Sequence, residues 1–245
     1  PERPEIMAQI VESIEGLAEA CRFFEVPVTG GNVSLYNETL GSPIFPTPVV
    51  GIVGTRKTAV PVGIPFQHEA RAVILLGGLG FPESDQLGGT QYAKVICNSL
   101  WGVPPHLDME YEKRVQSAIR ELVLAGAVES AHDLSDGGLA VALAECSFGP
   151  AGVGADIQLS SDMAPELLLF HESPSRILVS TATPDAVFAS AKKNSVEAVA
   201  IGVTLNESLI IRNKNAVLIH CPVKELESAW AGALEHHLLH DPVLV

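Results

Sequence analysis

The sequence predicts a mixed α/β (α+β) fold, and three observations carry it. From Ala70 onward, short apolar runs rich in β-branched residues alternate with segments whose apolar residues recur at helical spacing. The run RAVILLGG is apolar without interruption, which reads as a buried strand. LIIRN and AVLIHC are joined through Lys214 as a hairpin, so antiparallel pairs belong to the architecture.

The elements follow in order. Met7, Ile10, Val11, Ile14, Leu17, Ala18 and Cys21 recur at helical spacing; Pro4 stands near the start, and Glu2 and Glu5 favour the positive end of the dipole. EVPVTGG then reads as a short strand entering a polar loop. FPTPVVGIVGT reads as a second apolar run, which Pro46 and Pro48 place at a strand's start or on an edge. The prolines and glycines between Arg56 and Glu69 read as a linker. Beyond it come the strand RAVILLGG, a loop and helix in QLGGTQYAKVICNSLWG, and the helix YEKRVQSAIRELVLAG, stopped by Gly126. AVES leads into AHDLSDGG and the helix LAVALAEC. GVGADIQL and RILVST read as strands, PDAVFASAKKN as a helix, and VAIGVTL, LIIRN and AVLIHC as strands. VKELESAWAGALEHHL closes the chain as a helix with Val223, Leu226, Trp230 and Leu234 inward.

Composition excludes several function classes. The chain has 245 residues and a mean hydropathy of +0.28, enough apolar content to fill one or two cores. Its 15 Lys and Arg against 29 Asp and Glu give a net charge of −14, and the basic residues form no stripe that could neutralise a nucleic-acid backbone. No apolar run is long enough to span a bilayer, so neither nucleic acid nor membrane is expected as a partner. Cys21, Cys97, Cys146 and Cys221 lie far apart, each in an apolar context where a thiol behaves as a small hydrophobe, which fits a reducing cytoplasm. The opening PERPEIM has no initiator Met, as expected of a piece of a longer chain.

Two loops have the composition for chemistry. In GGNVSLYNE, glycines let the backbone approach an anion closely, Asn32 offers a neutral oxygen to a hard cation such as Mg²⁺, Ser34 adds a hydroxyl and Glu38 a charge. The same residue types also make an ordinary strand-to-loop turn. In AHDLSDGGL, Asp133 and Asp136 are candidate metal ligands. Ser135 and the N–H groups around Gly137 and Gly138 could receive phosphate at the positive end of the following helix. A plain helix N-terminus would use the same residues. FHESPSR places His171, Glu172 and Ser173 before a strand, as a ligand loop or a Ser-Pro turn. His236 and His240 lack a third metal ligand nearby and read as a solvated helix end. LLGGLG lacks the G-x-G-x-x-G spacing, and no Walker lysine motif or G-x-S-x-G elbow occurs.

Taken in order, PERPEIMAQIVESIEGLAEACRFFEVPVTGGNVSLYNET, FPTPVVGIVG, LGGTQYAKVI, AHDLSDGGLAVALAE and HESPSRILVS give a chain that resembles the C-terminal part of the phosphoribosylformylglycinamidine synthase family, in its synthetase subunit. The resemblance covers essentially all of the chain. GNVSLYNE is specific to that family, whereas the Asp-Gly-Gly loop is shared with aminoimidazole ribonucleotide synthetase, selenophosphate synthetase and a hydrogenase maturation protein.

The resemblance implies a PurM-like fold. Residues 1–64 would be the back half of a second N-terminal-type α/β domain, and residues 65–245 a complete C-terminal-type mixed-sheet domain with its closing helix. It implies an ATP-dependent ligase that phosphorylates the amide oxygen of formylglycinamide ribonucleotide, after which ammonia displaces phosphate to give the amidine. Partners would be a glutaminase subunit supplying ammonia, a small accessory subunit, and the N-terminal repeat of the same protein. Position by position, Gly31 would contact ATP, Asn32 would ligate Mg²⁺ and Ser34 would touch the ribonucleotide. Asp133 and Ser135 match positions that hold the metal and phosphates of a second, non-turning-over nucleotide in long-chain members. The catalytic histidine, the ATP-contacting lysine and most acidic Mg²⁺ ligands would lie in the first repeat, so no catalytic residue is assigned here and the chain alone is expected to be inactive. Gly30 stands where the family pattern has Ser, and Pro174 where the first repeat has Gln. Alternative readings are a self-contained nucleotide-binding module or assembly subunit, or another enzyme of the same superfamily.

Overall fold

A computed structural model of the chain describes residues 3–34, 38–44, 47–55, 61–80 and 84–240. Two compact units are present, Pro1–Ala59 and Val60–Val245.

The first unit holds helix α1, Pro4–Phe23, with Pro4 in its first turn, Glu5 at the positive end and Arg22 at the negative end. A two-strand hairpin follows, β1 (Glu38–Thr39) and β2 (Ser42–Pro43), with Glu38 opposite Pro43. Leu40 (φ 51°) and Gly41 (φ 78°) turn it, the pair of positive φ values that a two-residue hairpin loop needs. The strands expected in EVPVTGG and FPTPVVGIVGT are not formed: residues 26–34 and 47–55 carry no ladder, and Pro46 lies outside the described residues. A strand exists only with a partner to accept its backbone hydrogen bonds. Val49, Val50, Ile52 and Val53 have strand composition, yet stand 94%, 60%, 74% and 99% exposed. α1 likewise buries no residue.

The second unit is a seven-stranded sheet between two layers of helices. Its strands are β3 (Ala72–Leu76), β4 (Ser130–Asp133), β5 (Val153–Leu159), β6 (Ile177–Thr181), β7 (Ala198–Asn206), β8 (Ser208–Asn213) and β9 (Ala216–Pro222). The order across the sheet is β4-β6-β3-β7-β5-β8-β9, and every neighbouring pair is antiparallel except β5 with β8. The β8–β9 hairpin turns at Lys214 (φ 55°) as expected.

The helices are α2 (Gln91–Val95), α3 (Met109–Leu124), α4 (Gly138–Ser147), α5 (Pro165–Phe170), α6 (Pro184–Lys193) and α7 (Val223–His240). Alternation along β3 explains its unbroken apolar run. Val73 and Leu75 face a core with Leu139 and Leu143 of α4 and Leu168 and Leu169 of α5. Ile74 and Leu76 face the opposite core, with Val115 and Leu122 of α3 and Val187 and Ala191 of α6. Burying side chains of this size contributes about 1.5–3 kcal/mol each. The sheet thereby fixes the β4–α4 and α5–β6 loops side by side at the ends of paired strands, where β4 lies against β6.

Three expectations are corrected and one helix is added. Residues 61–69 are not a free linker, because Phe66 is 2% exposed and its N–H bonds the Cys146 carbonyl at 2.6 Å. Of the four residues expected to face inward on α7, Val223 is buried and Leu226 packs on the core, whereas Trp230 and Leu234 are 61% and 71% exposed. Only the first turns of α7 dock, and beyond them the Trp230 ring meets Phe148 at 5.5 Å. Cysteine burial holds only for Cys146; Cys97 is exposed and Cys21 and Cys221 are intermediate. Finally, α5 occupies a stretch for which periodicity gave no helix, because six residues are too few to display it.

Candidate functional site

The first candidate loop lies in the N-terminal unit. Residues 29–34 form irregular, exposed backbone; Leu35, Tyr36 and Asn37 lie outside the described residues. Gly30 and Gly31 do not have positive φ, and a Cβ at either would meet nothing within 4 Å. Turn geometry and packing among the described residues therefore give no reason for glycine at these two positions. Among the described residues, neither the Asn32 nor the Ser34 side chain makes a hydrogen bond, so both polar ends are available.

In the second loop the glycines have a structural reason. Gly137 (φ 77°) and Gly138 (φ 64°) turn the chain from β4 into α4. A Cβ on Gly138 would come within 2.6 Å of the His171 carbonyl oxygen and 2.9 Å of that of Leu169. The N–H groups expected to receive phosphate are already engaged: Gly138 N–H donates to the Ser135 carbonyl at 3.0 Å, and Gly137 N–H to Glu172 Oε1 at 2.8 Å. Asp133, Ser135 and Asp136 remain exposed. His132 stands beside Asp133, with Nδ1 at 3.4 Å from Asp133 Oδ1 and Nε2 at 2.8 Å from Glu145 Oε2.

The α5–β6 loop, residues 171–176, organises this end of the sheet. Besides Gly137, Glu172 Oε1 accepts the Gln91 N–H at the start of α2 at 2.8 Å. Arg176, 3% exposed, braces the loop from below: Nη2 donates to the His171 carbonyl at 2.8 Å and Nε to the Ser173 carbonyl at 3.0 Å. His171, 1% exposed, has its pKa pushed down to about 3, first by burial and then by the Arg176 charge, so it is neutral at physiological pH. Its Nε2 lies 3.0 Å from both the Leu79 carbonyl oxygen and Arg176 Nη1. Arginine only donates and a carbonyl only accepts, so a single ring nitrogen serves one of them. With the proton on Nδ1, the ring donates to Ser173 Oγ at 2.9 Å and gives Nε2 to the buried guanidinium, the costlier of the two groups to leave unpaired. Burial also pulls Arg176 down to about 10, leaving it charged.

These positions were visible in HESPSR, but their role was not. The sequence allows Glu172 as a ligand or turn residue, and the structure makes it the carboxylate that joins α2, α4 and the loop. No group of three His, Cys, Asp or Glu side chains converges as a metal site among the described residues. Asn32 and Asp133 each offer one oxygen of the kind a hard cation binds. No described helix is long and apolar enough to cross a membrane.

A family model described as AIR synthase related protein, C-terminal domain, matches residues 71–212, which run from the start of β3 to the end of β8. The phosphoribosylformylglycinamidine synthase subunit PurL of Moorella thermoacetica is 42% identical over 237 residues, which are 96% of this chain and 32% of that protein. The chain thus spans about a third of the length of the curated relatives it matches. Among solved structures, Thermotoga maritima PurL complexed with FGAR aligns over 68% of this chain and 29% of its own at 23% identity, with a TM-score of 0.58. The same protein complexed with ATP aligns over 68% and 27% at 23% identity, with a TM-score of 0.53. These two structures show the PurM-like fold. By the match over β3 to β8, the chain belongs to the AIR synthase related protein family, as its C-terminal domain.

Proposed function

We propose that this chain is the C-terminal portion of an ATP-dependent carbon–nitrogen ligase that converts formylglycinamide ribonucleotide, ammonia and ATP to formylglycinamidine ribonucleotide, ADP and phosphate. The observation that carries the reading is the 42% identity to a PurL subunit over 96% of the chain, which includes the Gly31–Ser34 loop and the Asp133 loop together. PurL structures complexed with FGAR and with ATP support the same ligand classes.

In this reading residues 1–64 belong to the second N-terminal-type domain and residues 65–245 are the second C-terminal-type domain. Gly31 lets the chain approach the ATP phosphates, Asn32 gives its amide oxygen to Mg²⁺, and Ser34 hydrogen-bonds the ribonucleotide. Mg-ATP, when bound, supplies the phosphoryl group that activates the amide oxygen. What the chain's own residues do is hold and orient: a glycine backbone that admits phosphate, a neutral oxygen ligand that adds no charge, and a hydroxyl on the substrate side. Asp133 and Ser135 would hold the metal and phosphates of a second nucleotide without the Gly137 and Gly138 N–H groups, which are engaged. The remaining groups come from the N-terminal repeat, and ammonia from a glutaminase subunit joined through a small accessory subunit.

Purified alone, the chain is expected to form no amidine from the ribonucleotide, Mg-ATP and ammonium, and steady turnover would contradict the reading. Calorimetric titration separates it from a self-contained nucleotide module: tight Mg-ATP binding by the chain alone favours the module.

A further inference from the structure

The seven-stranded sheet ends in β4 on one side and in β9 on the other, and the two edges differ. The β4 edge is partly closed by the chain itself: Gly63 bridges Ser130 in parallel, and Ala131 N–H donates to the Gly63 carbonyl at 3.0 Å. The β9 edge is open. Among the described residues, the backbone of Ala216–Pro222 pairs with β8 on one side and with no strand on the other.

Natural proteins guard an open edge with lysines, prolines, short strands or bulges. β9 runs for seven residues, carries no Lys, Arg, Asp or Glu, and has its proline only at the last position. Its one guard is the bulge at Leu218, the residue without a Cα partner on β8. Val217 beside it is 58% exposed. An apolar strand left this bare offers N–H and C=O groups that a second strand satisfies.

Helix α7 begins at the next residue, Val223, and packs on α4 and β9, so it lies on one face of the sheet at this same edge. Trp230, Leu234 and Leu238 recur at every fourth residue along it and form one apolar stripe, 61%, 71% and 65% exposed. A helix turns such a stripe toward a partner. The strand edge and the helix stripe, both without a covering element among the described residues, thus adjoin on one side of the Val60–Val245 unit.

A second copy of the chain meets both needs at once. A two-fold axis normal to the sheet sets β9 antiparallel to the β9 of the other copy and brings the two α7 helices side by side on the same face. Val217, Trp230, Leu234 and Leu238 each offer on the order of 100 Å² of apolar surface. With the paired edges, the two copies bury roughly 1,000 Å² in all, the size at which an interface holds in solution. An extended peptide added to β9 would leave the stripe bare, and a helix laid on the stripe would leave the edge open. We propose that the β9 edge and the α7 stripe form one interface, through which two copies of this chain pair into a continuous sheet with seven strands from each. The assignment does not rest on the ligase function proposed above.

Sedimentation equilibrium of the full chain under reducing conditions, over a wide concentration range, tests it. A monomer–dimer equilibrium is expected. Leu234→Glu charges the helix stripe and Val217→Lys guards the strand edge, both at exposed positions, and each should raise the dissociation constant at least about tenfold. Amide hydrogen exchange gives the second readout. The outward N–H groups of β9 should be protected where the unaltered chain pairs and lose that protection on dilution and in Leu234→Glu, while β8 stays protected throughout. A chain that is monomeric at every concentration overturns the proposal. A dimer that both variants form as tightly as the unaltered chain, or one whose outward β9 amides exchange freely, overturns it as well.

Discussion

Glu172 Oε1 accepts the backbone N–H of Gly137 at 2.8 Å, so the Asp-Gly-Gly turn is fastened to the α5–β6 loop by a carboxylate of the same chain. The same oxygen takes the Gln91 N–H at 2.8 Å, and one side chain thereby ties the starts of α2 and α4 together. Hydrogen bonds to a charged acceptor are each worth about 1.5–3 kcal/mol, reduced where water reaches them. Glu172→Ala is expected to lower unfolding free energy by about 2 kcal/mol by urea denaturation, with Glu172→Gln recovering part of it. An unchanged transition midpoint in both variants would remove Glu172 as a clamp.

His171 sets a pH dependence of stability. Its pKa falls from 6.5 to about 3 on folding, so between these values the unfolded chain binds more protons than the folded one. Stability therefore rises with pH across this window and is lost as pH falls from about 6.5 toward 3, at up to about 1.4 kcal/mol per unit. Denaturation series at pH 7, 6, 5 and 4 should show a steeper loss in the unaltered chain than in His171→Gln. Parallel curves would mean that the histidine is not buried neutral.

The two glycine loops should respond oppositely to alanine. At Gly138, with φ 64° and carbonyl oxygens within 2.9 Å of any Cβ, Gly138→Ala is expected to cost about 2–4 kcal/mol. Gly31 has open space and no positive φ, so Gly31→Ala should shift stability by less than about 0.5 kcal/mol. Thermal melts of both variants give the comparison, and a large loss at Gly31 would return that loop to a purely conformational role.

Thiol reactivity should follow burial. Cys97 is exposed, whereas Cys146 is buried and its thiol is pushed up by desolvation and by the neighbouring Glu145. Since the thiolate is the reactive form, a maleimide should label Cys97 first and leave Cys146 unlabelled until the chain unfolds. Mass spectrometry of a labelling time course reads this directly, and early modification of Cys146 would contradict the packing of α4.

Legibility in the sequence tracked how locally each feature is determined. β3 was plain because a run such as AVILL suits only a strand buried on both faces, and the hairpin at Lys214 because its turn is local. The strands expected in EVPVTGG and FPTPVVGIVGT failed for the opposite reason, since their apolar residues call for partner strands absent from the described residues. Trp230 and Leu234 showed helical periodicity without a surface to cover them. Within the candidate site, Asp133, Ser135 and the paired glycines were readable as a motif. The clamp by Glu172 was not, because it joins residues 35 and 81 positions apart and depends on β4 pairing with β6. Arg176 carries no signal as a lone basic residue before a strand; its burial and its bonds to the His171 and Ser173 carbonyls show it to brace the loop.

The most direct test of the central claim is complementation. Moorella thermoacetica PurL, truncated so that it lacks the region matching this chain, would be mixed with this chain, and ammonia-dependent amidine formation and ADP release would be followed with formylglycinamide ribonucleotide. The account predicts no activity from either piece, activity from the mixture, and its loss with Asn32→Ala. A mixture that stays inactive although the pieces associate, or one that is equally active with Asn32→Ala, would contradict it.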